Sequence, residues 1–114
     1  MAEITTVGLD LAKNVFQAHG ADASGRAVLR KKLRRDQVLA FFAQLPACVV
    51  AMEACGSSHY WARELAKLGH EVRLIAAQFV RPFVKSNKTD AADAEAIWET
   101  AQRHGNRFFA ARAP

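Results

Sequence analysis

Ile4-Thr5-Thr6-Val7-Gly8-Leu9-Asp10-Leu11 is the stretch on which the fold turns. It is β-branched or apolar almost throughout, the composition of a strand buried in the middle of a sheet. Asp10 interrupts it, and Leu11 continues the apolar run. A carboxylate in that setting is costly to bury unless it is paired or bound to metal. The stretch predicts a central strand carrying a functional acid near its end.

Working outward, Asn14 to His19 alternates, with Val15 and Gln17 on the opposite side from Phe16 and Ala18. Ala21-Asp22-Ala23-Ser24-Gly25 is a turn by residue type. Ala27 to Leu33 returns with Val28 and Leu33 among basic residues, as an edge strand does. Together these predict a three-stranded antiparallel meander. Beyond it, helix and strand alternate. Asp36 is placed to cap a helix with Val38, Leu39, Phe41, Phe42 and Leu45 on one stripe, ended by Pro46. Cys48 to Met52 is a short apolar run with the length of a buried parallel strand. Ser57 or Ser58 caps the next helix, whose buried face is Trp61, Leu65 and Leu68 and whose stop is Gly69. Glu71 to Ala76 is a further strand. Gln78 to Lys88, basic and broken by Pro82, reads as irregular or as one short helix. Thr89 to about Arg103 is an Ala-rich helix able to lie close on a sheet, and Phe108-Phe109-Ala110 begins one more segment.

Three antiparallel strands followed by αβαβα is the order of an α/β, ribonuclease-H-like fold: a mixed five-stranded sheet flanked by helices. In that fold Asp10 lies toward the end of the first strand and Glu53 at the carboxyl end of the fourth. Carboxyl ends of adjacent parallel strands are where such sheets place their ligands. The last helix can lie across that edge and add Asp90 and Asp93, three residues apart and so on one helical face. Four carboxylates and no histidine motif suit two hard cations, Mg2+ or Mn2+, held roughly 4 Å apart for phosphoryl chemistry. A plainer role stands beside each acid. Asp10 could cap the residues after the strand, and Glu53, Asp90 and Asp93 could each favour a helix dipole. Position alone does not choose for the Asp90 and Asp93 pair; the joint placement of all four favours a site.

The chain of 114 residues has the length of one domain, and its half-apolar composition suffices for a core. No run is long enough to span a bilayer, and the amino terminus lacks a signal peptide's basic and apolar regions. Cys48 and Cys55 have no metal-ligand spacing and read as reduced thiols. These features predict a cytoplasmic protein that keeps no membrane company. His19, His59, His70 and His104 have no ligand spacing either and read as surface or capping residues.

The net charge of +5 favours a polyanionic partner, and the charge is clustered. Arg30, Lys31, Lys32, Arg34 and Arg35 are candidates for phosphate contacts that weaken with salt. They serve equally as charges guarding an edge strand against aggregation. Lys13, Lys85 and Lys88 flank the acids and are better placed to hold a phosphate there. Tyr60 and Trp61 offer rings for base stacking, although a Trp on a helical stripe is more often core.

Gly8-Leu9-Asp10-Leu11-Ala12-Lys13, Met52-Glu53-Ala54-Cys55-Gly56-Ser57 and the long block from Arg81 to Ile97 that contains Lys88-Thr89-Asp90-Ala91-Ala92-Asp93 resemble the amino-terminal domain of the DEDD transposases. These insertion-sequence enzymes are grouped with the Piv/MooV DNA invertases, and the resemblance covers essentially all 114 residues. It implies one RuvC-like domain over residues 1–114 that binds divalent metal through Asp10, Glu53, Asp90 and Asp93. It further implies DNA as substrate, a structured bridge RNA as guide, a homo-oligomer, and function at the prokaryotic nucleoid. Family members also carry a carboxy-terminal domain with a serine nucleophile. Ser57, Ser58 and Ser86 match no such motif, so the expectation is half an active site, inactive alone. Two other readings compete: a nucleic-acid-binding or dimerisation module without catalysis, and a Holliday-junction resolvase-like nuclease. A sugar-kinase or actin-like ATPase half would need a phosphate loop that Ala12-Lys13-Asn14 does not supply.

Overall fold

The computed structural model describes residues 3–12, 14–76, 90–104 and 109–110, the last pair and 90–93 and 103–104 by their backbone. Strands β1 (Thr6–Asp10), β2 (Val15–Ala21) and β3 (Ala27–Arg34) lead through a 3-10 turn (Arg35–Gln37) into helix α1 (Val38–Gln44). Then come β4 (Val49–Glu53), α2 (Ser58–Lys67), β5 (Glu71–Ile75), α3 (Asp90–His104) and β6 (Phe109–Ala110). The sheet order is β3-β2-β1-β4-β5-β6. The first three strands pair antiparallel, while β4 runs parallel to β1 and β5 parallel to β4. This is the mixed, five-stranded, ribonuclease-H-like sheet expected, with a two-residue sixth strand antiparallel to β5 at its edge.

Side chains alternate across a strand, so each strand sorts its residues between two layers. Val7 and Leu9, Phe16 and Ala18, Val50 and Met52, and Val72 and Leu74 point one way. They meet Val38 and Phe42 of α1 and Trp61, Ala62 and Leu65 of α2 in the larger core. Burying each Val, Leu, Phe or Met among them contributes about 1.5–3 kcal/mol. The other face takes α3, where Ala51 and Ile75 pack on Ala96, Ile97 and Ala101. Small residues let this helix sit low, and Gly8 is the extreme case. A Cβ there would stand 2.5 Å from the Trp98 amide nitrogen, 2.8 Å from Trp98 Cβ and nearer still to the Ala94 carbonyl oxygen.

Local signals were borne out where backbone chemistry dictates them. Asp22 closes the first turn by accepting from the Ser24 and Arg26 amides, both at 3.0 Å, and Gly25 takes φ +88°. Gly69, at φ +95°, ends α2: its N–H donates to Ala66, and the next N–H, of His70, to Leu65.

Several expectations need correction. The strand ends at Asp10 and does not continue through Leu11. Asp36 caps nothing; it lies inside the 3-10 turn and accepts from Arg34 Nε at 3.4 Å, while the Gln37 side chain accepts the Arg34 amide at 3.0 Å. Ser57 occupies the cap position of α2 without a side-chain cap bond. Ser58, fully buried, closes that turn, accepting the Cys55 N–H at 3.1 Å and donating to the Cys55 carbonyl at 2.8 Å. Leu68 is 38% exposed, since α2 has ended before it. His19 and His70 are buried rather than superficial. His70 does cap in one sense: Nε2 donates to the Phe42 carbonyl near the end of α1 at 2.7 Å, while Nδ1 accepts the Cys48 amide at 3.2 Å. The expected segment from Gln78 to Lys88 lies outside the described residues.

Candidate metal and nucleic-acid site

The β1–β4 register runs from Thr6 with Val49 to Leu9 with Met52, so the next residues along, Asp10 and Glu53, end adjacent parallel strands side by side. Strands in a sheet lie about 4.8 Å apart, which sets the separation of their backbones. Parity does the rest. Leu9 and Met52 point into the α1–α2 core, so Asp10 and Glu53 point to the other face, the one covered by α3. Both acids are half-buried. The sequence anticipated this pairing at the carboxyl edge, and the ladder fixes it.

The other two acids, Asp90 and Asp93, lie in the first turn of α3. Asp93 directly precedes Ala94, whose carbonyl rests on Gly8, and Gly8 lies two residues before Asp10. The backbone thus brings the opening of α3 onto the strand that carries Asp10. The side chains of Asp90 and Asp93 lie outside the described residues, as do Lys13, Lys85 and Lys88. Among the described residues no group of three or more His, Cys, Asp and Glu side chains is gathered as for a metal. The donor chemistry of the Asp10 and Glu53 pair, two carboxylates with no thiol or imidazole between them, fits hard oxygen-seeking cations.

The same row of the sheet extends toward β3. Asp10 pairs with Gln17, and Gln17 with Lys32. Gln17 is buried beside the acid, a polar neighbour that sequence reading passed over. The signal was available: Gln17 and His19 are polar residues two apart on the face that α3 covers. His19 meets the Trp98 ring, with centroids 5.2 Å apart.

The basic run divides between the faces. Arg30, Lys32 and Arg34 pair with His19, Gln17 and Val15 and so share the face of the acids. They repeat every two residues, about 6.7 Å. Lys32 is two strands from Asp10, about 10 Å across the sheet. Lys31 lies on the opposite face, its Nζ 5.7 Å from the Phe41 ring centroid, and the Arg35 guanidinium lies 5.4 Å from that of Trp61. Trp61 is 3% exposed and belongs to the core, whereas Tyr60 is 46% exposed.

The two cysteines are free thiols. Cys48 Sγ lies 3.5 Å from His70 Nδ1, which suggests a nucleophile pair at first sight. That nitrogen already accepts the Cys48 amide, and burial pushes the thiol up from 9.0 to about 11. This pair is structural. No helix among the described residues is long and apolar enough to cross a membrane.

Comparison with known proteins gives a consistent result. A family model for transposases of the DEDD, IS110 type, described as "Transposase", matches residues 7–113. A probable family 20 transposase of Pseudomonas aeruginosa is 62% identical over 105 residues, covering 92% of this chain and 31% of that protein. The transposase for insertion sequence element IS1328 of Yersinia enterocolitica is 48% identical over 112 residues, 98% of this chain and 34% of that protein. The transposase for IS1111A of Coxiella burnetii is 42% identical over 108 residues, 95% and 30%. The chain thus spans about a third of the length of these relatives. Among solved structures, Thermus thermophilus RuvC superposes with TM-score 0.64 at 12% identity, covering 89% of this chain and 96% of that one. RuvC of T. thermophilus in complex with Holliday junction substrate gives 0.61 at 12% identity, covering 90% and 96%. At that identity the likeness is one of fold alone: RuvC-like.

Proposed function

This chain belongs to the DEDD transposase family, and from that premise we propose that residues 1–114 are the amino-terminal, metal-binding catalytic domain of an insertion-sequence transposase. The observation that carries the reading is the placement of Asp10 and Glu53, adjacent in register and facing the layer to which α3 brings Asp90 and Asp93. In this reading the four acids hold two Mg2+ or Mn2+ ions. Such ions, when bound, activate an attacking oxygen and stabilise a leaving one.

The chain's own residues supply the rest. The β1–β4 ladder fixes the spacing of Asp10 and Glu53, and Gly8 sets the height of α3 above them. Arg30, Lys32 and Arg34 hold the phosphates of DNA along the same face, joined by Lys13, Lys85 and Lys88, which flank the acids in the sequence. Lys31 and Arg35 add contacts on the other face. Strand cleavage and exchange then require a nucleophile that these acids do not provide. The greater length of the relatives supports a carboxy-terminal domain that brings a serine to a composite site. A structured guide RNA would choose the DNA, and the working particle would be a homo-oligomer in the cytoplasm, at the nucleoid while it acts. The isolated domain is inactive in strand exchange on this account. Resolution of Holliday junctions is not adopted, because it rests on likeness of fold alone.

Isothermal titration with Mn2+ tests the reading. The wild-type chain is expected to bind, and Asp10→Asn and Glu53→Gln to lose that binding while staying folded. Equal heats from all three would refute it.

A further inference from the structure

A second feature lies away from the acids, where β3 passes into α1 and α2 begins. Arg34, Arg35, Leu39, Tyr60 and Trp61, together with Asn14 and Asp36, line a depression of about 680 Å3. That volume falls within the range of small-ligand pockets, about 300–1,000 Å3. One wall is aromatic. Trp61 is buried edge-on against Phe16, and Tyr60 stands at 86° to Trp61 with ring centroids 5.1 Å apart. Tyr60 is the most exposed of the three exposed large hydrophobic side chains among the described residues, the others being Val28 and Leu68. The Arg35 guanidinium covers the Trp61 ring, so the rings and planes left to a ligand are those of Tyr60 and Arg35.

The charge distribution narrows the class of ligand. Arg34 is paired with Asp36 in the open, which weakens the pull of this corner on a bare phosphate or a carboxylate. Arg35 has no carboxylate partner among the described residues. What remains is a stacking surface with one available cation beside a basic strand. Nucleobases use both elements, since they stack on tyrosine rings and on guanidinium planes while arginine answers the backbone charge. An acidic peptide would use only the charge. A base inside a duplex cannot enter, because its faces are already stacked.

Building on the nucleic-acid reading above, we propose that this pocket takes one unstacked base of a single-stranded nucleic acid, laid against Tyr60 and the Arg35 guanidinium. The strand's phosphates follow Lys31, on the face away from the acids. The pocket gives the protein a grip on single strands that is separate from the phosphate track on the acid face.

The test uses the whole 114-residue chain and ten-nucleotide strands of DNA and of RNA, each with one 2-aminopurine, with the matched duplexes as controls. Both single strands are expected to bind with a change in 2-aminopurine fluorescence, because stacking reads the base and not the sugar. Tyr60→Ala should weaken single-strand binding about ten-fold, leave duplex binding and the melting temperature unchanged, and Tyr60→Phe should restore it. Single-strand affinity unchanged in Tyr60→Ala would overturn the pocket alone. So would an equal loss on single strand and duplex. A chain that binds neither form of nucleic acid would overturn the broader reading as well.

Discussion

Gly8 leaves open the space in which the Ala94 carbonyl rests on β1. The absent side chain is the reason α3 lies low enough to bring its first turn to the strand that ends in Asp10. Gly8→Ala places a methyl against backbone atoms of α3, which cannot swing aside as a flexible side chain can. The expected outcome is a loss of about 1–3 kcal/mol or more in urea unfolding, with weakened Mn2+ binding. Ala substitution at Gly56, where a Cβ would meet nothing within 4 Å, should change stability far less.

The division of the basic run between two faces makes a salt-dependence prediction. Arg30→Ala with Lys32→Ala removes two cations from the acid face. If both contact DNA phosphates, the slope of log affinity against log salt should become shallower by roughly 1.8. An unchanged slope on duplex DNA would return these residues to the role of edge-strand guards.

His70 joins two buried backbone groups, the Cys48 amide and the Phe42 carbonyl, from the end of α2 to β4 and α1. His70→Ala strands the Cys48 amide, while the Phe42 carbonyl keeps the Leu45 N–H at 3.3 Å. Denaturant unfolding should show a loss of about 1–3 kcal/mol for the one unsatisfied group, with metal binding retained in the fraction still folded.

The thiols separate by environment. At pH 8 a thiol reagent should label exposed Cys55 quickly and leave buried Cys48 unmodified until the chain unfolds. Burial raises the Cys48 pKa from 9.0 to about 11. The folded state therefore prefers the protonated thiol. Its contribution to stability is complete below pH 9 and falls as pH rises toward 11. Cys48→Ala should remove that part of the alkaline decline in melting temperature; a decline of the same size would contradict it.

Much of this was legible because it rests on period and punctuation. The apolar run around Val7 and Leu9, the Asp22–Gly25 turn and the Gly69 stop each have a local physical cause, and the structure has them. The side-by-side end of β1 and β4 followed from element order. What was not legible depends on contacts distant in sequence. Gly8 reads as a permissive residue until α3 lies on it, and Gln17 reads as an alternating strand residue until Asp10 is beside it. His70 reads as a surface histidine until Cys48 and Phe42 close around it. Asp36 misled for a simpler reason: the Gln37 side chain took the amide at the turn, and Arg34 took the acid.

Asp10, Glu53, Asp90 and Asp93 are proposed to form one metal site. The most direct measurement is anomalous diffraction from crystals of this chain soaked in Mn2+. Manganese peaks are expected within coordination distance of carboxylate oxygens of Asp10 and Glu53 and of at least one of Asp90 and Asp93, absent from Asp10→Asn crystals. Peaks confined to other residues, or peaks that persist unchanged in Asp10→Asn, would contradict it.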